Sequence, residues 1–142
     1  MSNAWNVQDA VLSAELQAYI DKLVALPENW HLHLYTNDYT PVPGEVLGAY
    51  TEAVFAGYAI GTVLATSWGA VSVASHVAST TSTTTVSSTK NDAGSVTIYG
   101  YYITKVDDTT LRMGERFGTP IVLAQTGTIG VQPIYRTQNA DE

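Results

Sequence analysis

Cysteine is absent from the sequence, and its absence removes several kinds of chemistry at once. With no cysteine among its 142 residues, the chain has no disulfides, no thiolate nucleophile and no cysteine ligand for zinc. Catalysis or metal binding would therefore have to rest on histidine, carboxylate and hydroxyl groups. The sequence has only three histidines, so the pool of ligands and bases is small.

Charged side chains are scarce, and positive ones are the scarcest. Asp, Glu, Lys and Arg make up 13% of the residues, about half of the usual share in a soluble domain. The six Lys and Arg residues are scattered along the chain, and the net charge is −7. Because no basic patch is available to meet a phosphate backbone, we predict no nucleic-acid partner.

Long uninterrupted hydrophobic runs are also lacking. Residues 57–77 come closest, but glycine, serine and threonine interrupt them and no basic residue flanks them. We interpret this stretch as buried strands and predict no membrane partner. The opening residues MSNAWNVQDA lack the basic and apolar regions of a signal peptide.

Residues 7–26 carry the one strong helical pattern. Apolar residues recur at helical spacing, Asn6 is a candidate N-cap, and Pro27 is expected to end the helix. We predict a helical arm at residues 1–27 followed by a β-sandwich domain at residues 28–142. The apolar stripe either covers the chain's own sheet or docks on another subunit, and its candidate interaction residues are Leu12, Leu16, Tyr19, Ile20 and Leu23.

The pattern in the remainder of the chain predicts short strands separated by turns. Residues 30–35 alternate between two faces, and residues 95–106 are apolar on both faces, as in a central strand. Further strands are predicted at 111–117, 121–123 and 128–134. The pattern predicts a mainly β protein, a single β-sandwich or jelly-roll-like domain of about seven to eight short strands with one N-terminal amphipathic helix.

Between Ser79 and Thr89, ten of the eleven residues are Ser or Thr. Threonine is β-branched and favours strands, and the run has none of the Gly, Pro or charge of a flexible linker. We predict an exposed strand that forms a hairpin with residues 95–104, with a long mobile loop as the alternative. The hydroxyls would then face solvent or a sister subunit.

Few residues have a pattern that points to chemistry. His31 and His33 share a strand face, but the only third metal ligands on offer are His76 or a carboxylate such as Asp38, without diagnostic spacing. Asp107 and Asp108 are typical of a turn, and Glu115 is expected to form an ion pair with a nearby arginine. We therefore predict no catalytic residue, metal site or cofactor, and no enzymatic activity.

Two blocks of sequence resemble a family of small structural proteins of tailed bacteriophages. The first is LHLYTNDYTPVPGEVLGAYTEAVFAGYA at residues 32–59, with an N-x-Y-T-P turn followed by L-x-x-(Y/F)-T-E-A-x-F-x-G-Y. The second is IYGYYITKVDDTTLRMGERFGTPIVL at residues 98–123, with a YGY strand and L-x-x-x-E-R-F. The Ser/Thr run and the N-terminal helix lie outside the resemblance.

The resemblance implies a virion component on the capsid surface, of the decoration or cement type, that bridges neighbouring subunits of the major capsid protein. Decoration proteins commonly form trimers or dimers at symmetry positions of the shell, so a homo-oligomer is expected. The alternative is a tail or fibre module that binds a host-surface glycan through an aromatic face. That face would be built from Tyr35, Tyr39, Tyr99 and Tyr101.

Overall fold

The computed structural model describes residues 9–25, 28–74 and 77–138. In these ranges the chain forms one α-helix and nine β-strands, all of whose pairings are antiparallel. They are α1 (Asp9–Ala25), β1 (Trp30–Tyr35), β2 (Gly61–Val63), β3 (Ser72–Ala74), β4 (Val77–Thr81), β5 (Val86–Thr89), β6 (Ser95–Lys105), β7 (Leu111–Ala124), β8 (Thr128–Val131) and β9 (Ile134–Gln138). The predicted fold class, mainly β with one N-terminal helix, is confirmed.

These elements fall into two compact units. Among the described residues, the helical unit takes in 9–25, 28, 64–74, 77–85 and 132–138, and the sheet unit takes in 29–63 and 86–131. The division of the chain between residues 27 and 28 stays a prediction. The helix nevertheless shares its unit with three strands.

In the helical unit, α1 packs on a three-stranded sheet of order β3-β4-β9. Leu12, Leu16 and Ile20 are buried, as are Ala78 and Thr80 on β4. The spacing of four residues brings these helical side chains to one face, which explains why the helix forms against the sheet. The candidate N-cap Asn6 and Pro27, which is expected to end the helix, lie outside the described residues.

The predicted hairpin between the Ser/Thr run and residues 95–104 is wrong. Ser79–Thr81 belong to β4, which pairs with β3 and β9, while Val86–Thr89 form β5 and pair with β8. The run is not fully exposed either, because Thr80, Ser82 and Ser88 are buried. Burial of these hydroxyl groups is tolerated because they can hydrogen-bond to nearby backbone. The Thr80 hydroxyl, for example, donates to Gly69 O at 2.7 Å.

The sheet unit contains a four-stranded sheet of order β2-β1-β6-β7 and the two-stranded β5-β8 pair. The predicted strand at residues 30–35 is confirmed at both ends. β6 lies between β1 and β7, as its two apolar faces predict, and Gly100–Thr104 are buried without interruption.

The C-terminal strands differ from their predicted boundaries. Residues 111–117 and 121–123 form one strand, β7. Its pairing with β6 is irregular between the pairs Ile98–Ile121 and Gly100–Arg116, where residues 117–120 have only Tyr99 opposite them. The predicted strand 128–134 is two strands, β8 and β9, in different sheets. They are separated by Gln132 and the buried Pro133, which has no backbone N–H to offer a ladder.

Candidate functional site

His33 lies at the centre of a set of polar side chains inside the sheet unit. It projects from β1, and its side chain is only 3% exposed. One ring nitrogen, Nδ1, lies 2.7 Å from Glu52 Oε2. The other, Nε2, lies 2.9 Å from Thr104 Oγ1 and 3.3 Å from Asp108 Oδ1. We refer to these residues together with His31 and Tyr58 as the His33 cluster.

The members of the cluster come from β1, β6, the segment 52–58 and the turn after β6. Strand alternation puts His31 and His33 on the same side of β1, as predicted, and antiparallel pairing sets His31 opposite Thr104 of β6. Asp108 lies in the turn that joins β6 to β7 and has a positive φ of 59°. Its Oδ1 lies 2.6 Å from His31 Nδ1, so a single carboxylate oxygen faces both imidazoles.

Glu52 extends the cluster toward the surface. Its Oε2 accepts a hydrogen bond from the Tyr58 hydroxyl at 2.7 Å, and that hydroxyl accepts one from the backbone N–H of Leu34 at 3.2 Å. The side chain of Glu52 is 36% exposed. Glu52 and Tyr58 also line an open groove along residues 52–60, which gives the carboxylate access to water.

An aromatic ring covers the imidazole of His33. The ring of Tyr102 stacks on the His33 imidazole with centroids 4.6 Å apart and planes only 4° from parallel. Burial raises the pKa of Tyr102, and the carboxylates of Glu52 and Asp108 raise it further. Burial also raises the pKa of Tyr58, with the Glu52 contact adding to the effect. Both phenols are therefore neutral at physiological pH.

Asp107, beside Asp108, has a local structural role. It accepts hydrogen bonds from the Thr110 hydroxyl and from the backbone N–H groups of Thr109 and Thr110, and these bonds hold the pKa of its carboxyl below the usual range. This is the turn that the sequence predicts at 107–110. The two adjacent carboxylates thus serve different purposes, one in the turn and one in the His33 cluster.

The metal ligands considered from the sequence do not come together. Asp38 pairs with Arg116, whose Nη1 lies 2.6 Å from Asp38 Oδ1, and His76 lies outside the described residues. Within residues 9–25, 28–74 and 77–138, no group of three or more His, Asp and Glu side chains is arranged to hold a metal ion. His31 and His33 instead use their nitrogens on carboxylate and hydroxyl oxygens.

The residues of the two sequence blocks pack together inside the sheet unit. Asn37 bridges the loop after β1, since its amide donates to Ala49 O and its carbonyl accepts from Thr51 N, both at 2.8 Å. A tyrosine cluster follows, with a buried centre and partly buried neighbours: Tyr35, Tyr50 and Tyr102, surrounded by Tyr39, Leu47, Tyr99 and Leu111. These side chains pack against one another and hold the sheet unit together.

Arg116 links one block to the other. From the second block it pairs with Asp38 of the first, reaches Thr40 Oγ1 at 3.5 Å, and lies 5.3 Å from the centroid of the Tyr99 ring. The arginine of the L-x-x-x-E-R-F pattern therefore fastens the N-x-Y-T-P turn to the sheet.

The aromatic face predicted for glycan binding does not exist as a surface. Tyr35 is 0% exposed and Tyr101 is 3% exposed, while Tyr39 and Tyr99 pack against the tyrosine cluster. Tyr35 and Tyr101 are core side chains and Tyr39 and Tyr99 are half-buried, so the four rings do not form an exposed stacking platform.

Three of the candidate interaction residues of the helix are turned inward, and a fourth contacts β9. Leu12, Leu16 and Ile20 are buried in the helical unit, and Tyr19 stacks on Tyr135 of β9 with ring centroids 6.0 Å apart. The side chain of Leu23 lies outside the described residues. The described part of the stripe thus packs on the sheet of its own unit.

Comparison with known proteins adds no relative: no protein-family model, no curated protein and no solved structure matches the chain. In the described part of the chain, α1 is the longest helix and is neither long nor apolar enough to cross a membrane.

The buried tyrosines predict how the protein responds to alkali. Burial raises the pKa of Tyr35 to about 12 and shifts the pKa values of Tyr50, Tyr58 and Tyr102 in the same direction. A raised acid pKa leaves stability intact below pH 10 and removes it as pH rises above 10, because only the unfolded chain releases these protons. In a spectrophotometric titration we expect these four of the nine tyrosines to stay protonated until the protein unfolds. Ionisation of all nine near pH 10 in the folded protein would contradict this assignment.

Proposed function

We propose that this chain is a structural protein of a tailed-bacteriophage virion, and specifically a capsid decoration protein that stabilises the shell by bridging neighbouring subunits of the major capsid protein. The observation that carries the proposal is that residues of the two sequence blocks have structural roles. Their residues hold the sheet unit together through the tyrosine cluster and the Arg116 contacts. A motif whose residues hold the fold together suits a protein that must be rigid and that binds its partner by complementary shape.

The polar groups of the sheet unit support the same proposal. The His33 cluster bonds its members to one another, and Tyr102 covers the imidazole. An active site needs a nucleophile, acid or base with access to a reacting atom. The exposed members of the cluster, Asp108 and Glu52, both have a carboxylate oxygen bonded to a histidine ring nitrogen. We therefore propose a non-enzymatic role.

The exterior of the sheet unit is also suited to contact with another protein. Several valines on it are well exposed, with Val54 at 89%, Val46 at 69% and Val122 at 66%. Few charges accompany them, because charged residues are only 13% of the sequence. Burial of such side chains across subunit boundaries would stabilise a shell, and many modest contacts on a lattice add together. We propose that like copies of the chain associate in the same setting, as a trimer or dimer.

The location of the protein in the particle tests this proposal. Purified virions are disrupted into heads and tails, the two fractions are separated on a density gradient, and the chain is quantified in each by mass spectrometry. The major capsid protein and the tail-tube protein serve as internal markers. We expect the chain to follow the major capsid protein. Recovery with the tail marker, or absence from the particle, would overturn the decoration role.

A further inference from the structure

Part of one edge of the four-stranded sheet is formed by a short segment between β1 and β2. Thr36 N–H donates to Thr51 O at 2.9 Å, and Ala53 N–H donates to Leu34 O at 2.9 Å. These bonds lie on either side of Glu52, which pairs with β1 through an antiparallel bridge. The N–H and the C=O of a trans peptide point in opposite directions, so both the N–H and the C=O of Glu52 point away from β1.

These outward groups of Glu52 are open to a partner. Neither has a hydrogen bond within residues 9–25, 28–74 and 77–138, and the neighbouring Val54 is 89% exposed. Prolines and charged side chains usually protect a sheet edge against pairing. β7, at the opposite edge, contains Pro120 and three charged residues, whereas residues 51–55 contain no proline and only the charge of Glu52. The edge at Glu52 is therefore suited to accept a further strand.

A largely apolar groove lies beside this edge. Its volume is about 410 Å³, in the range of roughly 300–1,000 Å³ that is typical of binding sites. Its lining residues are Glu52, Ala53, Val54, Phe55, Tyr58 and Ile60. Glu52 is the one charged residue among them. His33 and Tyr58 both bond to Oε2 of its carboxylate, which leaves Oε1 for a partner.

We propose that residues 51–55 and this groove bind an extended segment of another protein, which adds to the sheet as an antiparallel strand and sets a lysine or arginine opposite Glu52. The main chain of the segment exchanges two hydrogen bonds with Glu52, as in any hydrogen-bonded antiparallel pair. The basic side chain meets the Glu52 carboxylate, and an apolar side chain two residues away on the same face contacts Val54.

Charge favours a different protein over a second copy of this chain. A second copy brings the same carboxylate and a net charge of −7, so association at this edge would set like charges together. A basic segment complements the charge and the main chain at once. The inference rests on the proposed function only for the identity of the partner, a capsid subunit, since the binding edge belongs to the isolated chain.

Titration of the wild-type protein with a short peptide tests the proposal. The probe is acetyl-Val-Thr-Lys-Thr-Val-amide, and binding is followed in the amide spectrum of nitrogen-15-labelled protein. We expect saturable shifts of the Glu52 and Val54 amide signals, with the Glu52 proton moving in the direction of a hydrogen-bonded amide, and a Kd on the order of 1 mM. No saturable shift, or shifts confined to other parts of the chain, would overturn the proposal.

The same peptide with glutamate in place of lysine tests the charge. It should bind at least about fivefold more weakly, because an attraction to Glu52 is replaced by a repulsion. Equal binding of the two peptides would overturn the assignment of a basic partner. Both titrations use the isolated chain, so their failure would leave the decoration role to the fractionation of heads and tails, and recovery of the chain with tails would leave the binding edge intact.

A matched pair of substitutions locates the site. Val54→Lys and Val106→Lys add the same charge at valines that are 89% and 57% exposed, so neither change disturbs the core. Val106 lies in the turn after β6, away from the groove. Val54→Lys should lose most of the affinity for the lysine peptide, and Val106→Lys should keep it. If both variants lost affinity equally, net charge alone would explain the binding and the strand-addition site would be rejected.

Discussion

Gly100→Ala should lower the free energy of unfolding by about 3 kcal/mol, a large effect for the addition of a single methyl group. Gly100 lies in the middle of β6, between Tyr35 of β1 and Arg116 of β7 in the pairing. A β carbon at this position would lie 2.1 Å from the backbone oxygen of Glu115 and 2.7 Å from the Tyr35 hydroxyl oxygen. Neither neighbour can move away freely, because one is backbone of the adjacent strand and the other is a fully buried side chain.

Gly118→Ala is the matched control for this substitution. Gly118 lies in the irregular part of β7, and a β carbon there would meet no atom within 4 Å. Restriction of the unfolded chain is then the main effect, so Gly118→Ala should be neutral or slightly stabilising. Thermal and denaturant melts of the two variants make the comparison. Equal stability of both variants would show that the close approach of β6, β7 and Tyr35 at Gly100 is incorrectly described.

Lys90→Met should cost about 2–3 kcal/mol of stability, although a lysine in a turn between strands is usually dispensable. Lys90 is 3% exposed. Its Nζ donates to the Asp92 carboxylate, to Asp92 O at 2.7 Å and to Ala93 O at 3.0 Å. Methionine keeps the length of the side chain but offers no donor, so the three oxygens lose their common partner.

The backbone hydrogen bonds of the same turn explain why loss of the Lys90 side-chain contacts should also destabilise neighbouring loops. Lys90 N–H donates to Gly127 O at 2.9 Å, Lys90 O accepts from Thr126 N at 2.8 Å, and Asn91 N–H donates to Ala56 O at 2.9 Å. The turn thus ties the segment before β2 to the loop between β7 and β8. Hydrogen exchange in the loops around Ala56 and Thr126 should accelerate in Lys90→Met together with the drop in melting temperature.

Lys22→Met provides the comparison for Lys90→Met. Lys22 is exposed on the last turn of α1, and its replacement removes the same charge without disturbing buried acceptors. We expect a change within about 0.5 kcal/mol for this variant. If Lys90→Met proved no more destabilising than Lys22→Met, the lysine-centred turn would have no structural role.

Local patterns predicted the elements that depend on local physics. Strand β1 follows from alternation, and the central position of β6 follows from apolar residues on both of its faces. The apolar stripe of α1 identified Leu12, Leu16 and Ile20 as residues that must be covered. The structure shows them covered by the helix's own unit.

The features that sequence reasoning missed depend on partners far away in the chain. The Ser/Thr run contains strands, but its pairing with β3, β9 and β8 has no local signal. His31 and His33 were seen to share a face, yet Glu52 lies 19 residues from His33 and Asp108 lies 77 residues from His31. Likewise Lys90 reads as an ordinary turn residue, because a buried lysine is recognisable only once its three acceptors are in place.

The same distinction explains why function is harder to predict than fold. The two sequence blocks supply contacts within the sheet unit, as those of Asn37, Tyr50 and Arg116 show. The surface that would meet a capsid carries no motif, because flat contacts between proteins require shape and exposed apolar area more than particular residues.

The most direct test of the decoration role is the number of copies of this chain in a purified particle. Quantitative mass spectrometry gives that number relative to the major capsid protein, with isotopically labelled peptides of both proteins as standards. A protein that occupies the capsid lattice should appear in a ratio of small integers to the major capsid protein. A handful of copies per particle would contradict the account and would place the chain at a unique position such as the tail.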